Sequence, residues 1–281
     1  MLHGEIHTID RFEEMQKWVR PDTWVICDID GVLIDAAQML GSTHWLYDHL
    51  HHLVHEEGMA PAQAAFAFEQ EYGHVRATVP YVPMEESIPQ TIAALQSKGH
   101  TVFALSHRPL SMYTATEKHL ASVNIDFRPT SPLSKDHWFS DLSRMHDGVL
   151  FVSDFGPKGR TLALLLNYLG TTPPSIVFID DSEHNVKSVH ATCEELGIPC
   201  HACYYQLRKR RHANYSREIA DIQLAALPEI LSDHEATLSL RYRQSSHTAN
   251  QTHEENRKWI KLTTTTRNRS LKALCARFWS T

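Results

Sequence analysis

From Pro83 onward the chain alternates short apolar runs with amphipathic stretches of helical length, and no other feature limits the possible folds as tightly. Met84–Lys98 reads as a helix stopped by Gly99, Thr101–Leu105 as a strand, Ser111–Val123 as a helix and Gly148–Val152 as a strand. Lys158–Leu169, Ser175–Ile179, Glu183–Leu196 and Pro199–Tyr204 continue the pattern, and Asn214–Leu231 reads as a final helix. An earlier apolar run, Thr23–Ile29, is bounded by turn residues and reads as a buried first strand. Strands that alternate with helices of this length imply a parallel sheet covered on both faces, a Rossmann-like three-layer α/β/α fold. Ligands in such sheets bind beyond the carboxyl ends of the strands. The polar groups directly after the apolar runs are therefore the candidate site.

The remaining segments divide the chain. Residues 1–22 read as an N-terminal leader with an amphipathic helical turn or two, and residues 23–35 and 83–232 as the core. Residues 36–82 are rich in Ala, Leu, His and Glu, and Gly58 and Pro61 break them into two helices inserted after the first strand. Residues 233–281 lose the apolar period and read as a polar, basic tail. Over Glu235–Thr281 nine Lys and Arg stand against three Glu, so this stretch carries +6 and, with −6 for the whole chain, the rest carries −12. That balance gives no specific nucleic-acid signal. No apolar run approaches the roughly 20 residues of a membrane-spanning helix. The start of the chain, with Asp10, Glu13 and Glu14, lacks the pattern of a secretory signal. Five cysteines are an odd number for a disulfide framework. A cytoplasmic protein in a reducing compartment is the expectation, with non-classical secretion as the alternative; the sequence does not address its oligomeric state.

Four polar groups follow four apolar strands. They are Asp28-Ile-Asp30-Gly31, Ser106-His-Arg108, Lys158 in the turn Gly156-Pro-Lys-Gly159, and Asp180-Asp181. Residues i and i+2 of an extended strand share a face, so Asp28 and Asp30 reach one pocket. Several carboxylates packed together repel one another and resist ionisation unless a cation joins them. Oxygen ligands of this kind suit Mg²⁺.

The four motifs, in this order and at these strand ends, resemble the haloacid-dehalogenase (HAD) superfamily. The resemblance covers roughly Thr23–Leu231, and Leu40-Gly-Ser-Thr-His-Trp45, Ser106-His-Arg108 and Ile179-Asp-Asp-Ser182 resemble an uncharacterised bacterial branch of it. It implies a HAD-like core with a helical cap at residues 36–82 and a Mg²⁺-dependent phosphatase acting on a small-molecule phosphomonoester. By the same resemblance Asp28 is the nucleophile that becomes an aspartyl-phosphate. Asp30 protonates the leaving oxygen and then activates water. Asp28, Asp181 and the main-chain carbonyl of Asp30 bind the metal, with Asp180 either a ligand or the residue that orients one. Ser106 and the amides after it bind phosphoryl oxygens, and Lys158 holds Asp28 and the phosphate by charge. An Asp at position 30 favours phosphoryl transfer, because dehalogenating members lack it and ion-pumping ATPases carry Thr. The cap would close over the site, with Trp45, Tyr47 and Tyr81 contacting the leaving group and Arg108 a second anionic group.

Blander readings compete with each of these. An Asp-Gly pair is ordinary turn chemistry, and Asp180-Asp181 also suits a helix start. His44, His49, His51, His52 and His55 share helix faces but lack a metal motif, and a solvated or packed cap helix accounts for them. Cys200-His-Ala-Cys203 has redox or zinc spacing without a second pair and reads as buried strand cysteines. Leu207-Arg-Lys-Arg-Arg-His212 reads as a solvated basic loop, with polyanion or phosphorylated-substrate binding as its rival. Two other functions remain open: a phosphotransferase or phosphomutase, favoured by a second anionic subsite such as Arg108, and a catalytically idle interaction protein.

Overall fold

The computed structural model describes residues 4–152, 156–211 and 213–245. Its strands are β1 (Glu5–Ile9), β2 (Trp24–Cys27), β3 (Ile34–Ala36), β4 (Tyr81–Pro83), β5 (Val102–Ser106), β6 (His137–Ser140), β7 (Ser143–His146), β8 (Val149–Val152), β9 (Ile176–Asp180) and β10 (Cys200–Tyr205). Its helices are α1 (Thr43–His55), α2 (Pro61–Thr78), α3 (Ile88–Ser97), α4 (Tyr113–Ser122), α5 (Lys158–Leu169), α6 (Glu183–Glu195), α7 (Leu207–Arg211) and α8 (Arg217–Ala226). The chain divides into two units, Met1–Ile230 and Leu231–Thr281.

The first unit is built on an eight-stranded sheet ordered β1-β10-β9-β2-β5-β8-β7-β6. Strands β1 to β8 of that order run parallel, and β7 and β6 close one edge as an antiparallel hairpin. The inner strands β5, β8 and β9 are buried at every residue, as expected for parallel strands covered on both faces. Period-2 alternation sorts their side chains. Val25, Cys27, Val102, Ala104, Val177 and Ile179 pack with α3, α4 and the 3-10 helix Phe12–Trp18 in one core. Ile26, Phe103, Leu105, Ile176 and Phe178 join α5 and α6 in the other. The α/β/α layering follows directly from that split. β2 lies between β5 and β9, where the winding reverses, so a crevice opens at their carboxyl ends.

Several elements depart from the sequence reading. The leader contributes β1, which pairs parallel to β10 with Glu5 opposite His201 and Ile9 opposite Tyr205. The β6–β7 hairpin also departs: its two strands are four residues each and mostly polar, so they carry no apolar run.

Between β2 and β5 the chain leaves and returns through a small antiparallel ribbon, β3 with β4, pairing Ile34 with Pro83 and Ala36 with Tyr81. α1 and α2 lie between those two strands. Ser42 caps α1 by accepting from the Trp45 N–H at 3.2 Å, and Pro61 opens α2. In the second unit, residues 233–245 are helical, where the fading apolar period placed the start of a tail. A capping box explains it: Ser232 N–H donates to the Glu235 carboxylate at 2.8 Å, and Glu235 N–H donates to Ser232 Oγ at 3.3 Å. The rest of the expected tail, with Trp259, Trp279 and Cys275, lies outside the described residues.

Candidate active site

β2 delivers Asp28 to the crevice, and the Asp28 N–H donates to the Ile179 carbonyl at 2.8 Å, tying the turn to β9. The chain then folds back tightly, with Gly31 N–H donating to Ile34 O and Ile34 N–H to Ile29 O. Gly31 has φ +75°, and a Cβ there would stand 2.4 Å from Asp181 Oδ2 and 2.9 Å from Arg208 Cδ. Only glycine fits that space. β9 ends in Asp180, and Asp181 follows.

Lys158, the first residue of α5, is completely buried, and its Nζ lies 2.7 Å from both Asp28 Oδ1 and Asp180 Oδ2. Asp180 Oδ1 accepts from Ser182 N–H at 2.8 Å and from Asn185 Nδ2 at 3.1 Å, so both its oxygens are engaged. One carboxylate oxygen from each of Asp28, Asp180 and Asp181 falls within 4.8 Å of the others. Burial pushes the Asp28 carboxyl up to about 6, against the pull of Lys158 and with help from Asp180 and Asp30. Burial likewise lifts Asp181 well above the usual carboxylate range, despite Arg208. Lys158 behaves oppositely: Asp180 and Asp28 hold its ammonium charged although burial disfavours it. The cluster is short of positive charge. Asp181 Oδ2 also accepts no hydrogen bond, although Arg208 Nε stands 2.5 Å away as an ion pair. A buried carboxylate oxygen without a donor, inside a set of hard oxygen ligands, fits a divalent cation such as Mg²⁺.

Ser106 ends β5, and its buried Oγ accepts from the Arg108 N–H at 3.1 Å. His107 Nε2 lies 2.9 Å from the Gly156 carbonyl, linking this loop to the one before Lys158. The four strand-end motifs are thus brought together.

Arg108 is placed differently from the expected substrate contact. It is 2% exposed, and its donors are engaged. Nε donates to Asp30 Oδ2 at 2.9 Å, Nη2 to Asp30 Oδ1 at 2.7 Å and Nη1 to Thr116 Oγ1 at 3.1 Å. The planar guanidinium matches the carboxylate in a bidentate pair, and burial turns Arg108 towards Asp30, Thr116 and His119. A second guanidinium, Arg76 of α2, reaches Asp30 Oδ1 at 3.0 Å. Burial alone would raise the Asp30 carboxyl, but Arg108 and Arg76 hold it far below the usual range. His119 completes the cluster, with Nδ1 3.2 Å from Arg108 Nη1 and Nε2 2.9 Å from the Arg76 carbonyl. Burial and the two arginines push its pKa down to about 3, so the ring is neutral and Nε2–H is the donor.

Trp45 and Tyr81 also go to the interior. Trp45 is 1% exposed and stacks between His49 at 5.2 Å and Tyr72 at 6.1 Å, so it packs the inserted helices and does not face a leaving group. Tyr81 stacks on His119 at 4.0 Å, and burial pushes its phenol up to about 12. Tyr47 is exposed, with Arg208 5.3 Å over its ring. Among the expected cap histidines, His51 packs on His55 and His52 pairs with Glu56. Cys200 and Cys203 are buried in β10. Arg76 and His119 were missed by the sequence reading and carried no signal in it, whereas Arg208 was noted there as part of the basic run, favoured as a solvated loop.

Comparison with known proteins adds a family and corrects a location. A "Putative outer membrane protein" of Chlamydia muridarum is 29% identical over 78% of this chain and 83% of its own. One from Chlamydia trachomatis is 26% identical over 78% and 83%, and one from Chlamydia pneumoniae is 26% identical over 85% and 90%. The cytoplasmic expectation is contradicted by these relatives, since the four curated ones found share that name. It rested on a missing leader pattern, and a missing pattern does not say where a chain is delivered. No described helix is long and apolar enough to cross a membrane. Among solved structures, a haloacid dehalogenase-like hydrolase from Streptococcus pneumoniae aligns with TM-score 0.42 and 12% identity, covering 68% of this chain and 90% of that one. A chain titled "putative beta-phosphoglucomutase" from Thermotoga maritima aligns with TM-score 0.39 and 16% identity, covering 78% and 99%. At these values neither bears on chemistry. A family match spanning residues 8–237 is decisive by contrast: the chain belongs to the family described as "Protein of unknown function (DUF2608)".

Proposed function

We propose that this protein is a Mg²⁺-dependent phosphatase that hydrolyses a phosphomonoester through an aspartyl-phosphate on Asp28. The observation that carries the reading is the buried trio Asp28, Asp180 and Asp181, with oxygens within 4.8 Å of one another and a fully buried Lys158 bridging two of them. Nature rarely buries three carboxylates around one lysine without a further cation. Asp28, Asp181 and the main-chain carbonyl of Asp30 would hold the metal. Asp180, whose oxygens are taken by Lys158, Ser182 and Asn185, orients the lysine instead. When bound, Mg²⁺ would neutralise the phosphoryl oxygens.

The chain's own groups supply the rest. A carboxylate oxygen of Asp28 attacks phosphorus, the bond to the leaving oxygen breaks, and the phosphoryl group remains on Asp28. Lys158 and the Ser106 loop balance its charge from two sides. Water then attacks the acyl phosphate and releases inorganic phosphate. Asp30 would accept the proton of that water once a guanidinium withdraws, because Arg108 and Arg76 together hold its carboxyl far below the usual range. Protonating a leaving oxygen would require one guanidinium to withdraw. Arg76, which reaches Asp30 through Nη2 and leaves Nε and Nη1 without a hydrogen bond, is the less firmly held of the two. The phosphomutase reading leaned on Arg108 as a second anionic subsite, and the bidentate engagement of Arg108 by Asp30 favours the phosphatase over it. The relatives' names favour the cell envelope as the place where the enzyme acts.

The test is Mg²⁺-dependent phosphate release from a panel of phosphomonoesters, with chelator controls. Turnover abolished by chelation and by Asp28→Asn is expected. Turnover on no substrate, or undiminished turnover in the variant, would sink the reading.

A further inference from the structure

The basic run after β10 turns one side chain into the site. Lys209 is exposed and Arg210 pairs with Asp10 on the surface. Arg208 points the other way. Its Cδ lies where a Cβ on Gly31 would make contact at 2.9 Å, its Nε stands 2.5 Å from Asp181 Oδ2, and its guanidinium covers the Tyr47 ring at 5.3 Å. Nε is buried and makes no hydrogen bond despite that proximity. The pair is one of charge without alignment, as for a cation resting at an oxygen shaped for something else.

The other described cations at the site face other carboxylates. Lys158 bridges Asp28 and Asp180, and Arg108 and Arg76 both hold Asp30. Asp181 Oδ2 cannot serve a guanidinium and a divalent cation at once, since both need the same lone pairs and repel each other at this range. We propose that Arg208 exchanges partners: it neutralises Asp181 while the metal position is empty, and is released to grip the oxygens of the substrate's phosphoryl group when a divalent cation takes Asp181. The inference deepens the phosphatase reading and rests on it. It adds to the four strand-end motifs a phosphoryl-binding residue carried by β10 and α7. Tyr47, from α1, supplies a face on which the guanidinium stays beside the site after release. A guanidinium fork matches a phosphoryl group as it matches a carboxylate, so the second partner satisfies the N–H that the first leaves unbonded.

Binding measurements on the full chain test this without a known substrate. Titrate Mg²⁺ alone into wild type and Arg208→Gln, then titrate inorganic phosphate at saturating Mg²⁺. Loss of a competing cation should tighten Mg²⁺ binding about fivefold, while phosphate binding weakens about tenfold; such opposed shifts mark partner exchange between two sites. Arg208→Lys, which keeps the charge, should fall between the two for both ligands. Unchanged or weaker Mg²⁺ binding in Arg208→Gln, unchanged phosphate binding, or a lysine variant no better than glutamine would overturn the exchange while leaving the phosphatase reading standing. A wild-type chain that binds no Mg²⁺ would overturn both.

Discussion

The floor of the candidate site and its rim are built on opposite terms. On the floor, Asp180 and Lys158 sit at zero exposure and have their partners: Lys158 Nζ has two carboxylates at 2.7 Å, and Asp180 has three donors. On the rim, contributed by α2, β4 and α7, Arg76 Nε and Nη1, the Tyr81 hydroxyl and Arg208 Nε are buried with no hydrogen bond. Buried polar atoms are normally satisfied, so a concentration of bare ones on one side marks where a ligand or a movement supplies what is missing. The floor is preorganised for chemistry. The rim is held in an arrangement that bound substrate would rearrange.

The largest effect should come from breaking the floor. Lys158→Met leaves Asp28 and Asp180 buried without compensation and should cost about 3–5 kcal/mol of stability, read by denaturant unfolding. A loss no larger than that of a surface lysine would erase the contrast between floor and rim.

Next, Asp30→Ala should still form the phosphoenzyme but hydrolyse it slowly, giving a burst followed by a turnover reduced about a hundredfold or more. A steady-state rate equal to wild type would remove Asp30 from the chemistry. It would also leave the Arg108–Asp30–Arg76 cluster with a structural role only.

The adjacent acids offer a finer comparison. Asp180→Asn disturbs Lys158 and should lower stability by about 1–3 kcal/mol, through lost charge-assisted bonds. Asp181→Asn should cost little stability but abolish Mg²⁺-dependent thermal stabilisation, measured by scanning with and without the metal. The reverse pattern would assign the metal to Asp180.

Much of the floor was legible in the sequence because it depends on local chemistry. A continuous apolar run ended by Asp28, Ser106 or Asp180 reads as a strand delivering a polar group to one edge, and Lys158 opened a helix predicted at the residues where α5 lies. The rim was not legible, for a physical reason. Arg76 and Arg108 meet at Asp30, 46 and 78 positions away in sequence, through long side chains whose directions are set by packing. The same limit hid the packing of Trp45, since an aromatic on an inserted helix looks alike in sequence whether it faces a ligand or Tyr72. β1 escaped notice because Glu5–Ile9 is an edge strand with two exposed residues at its start.

The smallest expected effect sharpens the rim. Arg76→Met replaces a half-satisfied buried guanidinium by an apolar side chain of similar length and should change stability by less than about 1 kcal/mol in either direction. A cost approaching that of Lys158→Met would show Arg76 to be as fixed as the floor, and the rim not poised to rearrange.

The central claim is that Asp28 is a metal-assisted phosphoryl acceptor. Its most direct test is ¹⁹F NMR of the protein with beryllium fluoride, which mimics an aspartyl-phosphate without requiring a substrate. A Mg²⁺-dependent bound-fluoride signal in wild type that disappears in Asp28→Asn is the predicted result. No bound signal in folded, Mg²⁺-saturated wild type, or one that persists in the variant, would contradict it.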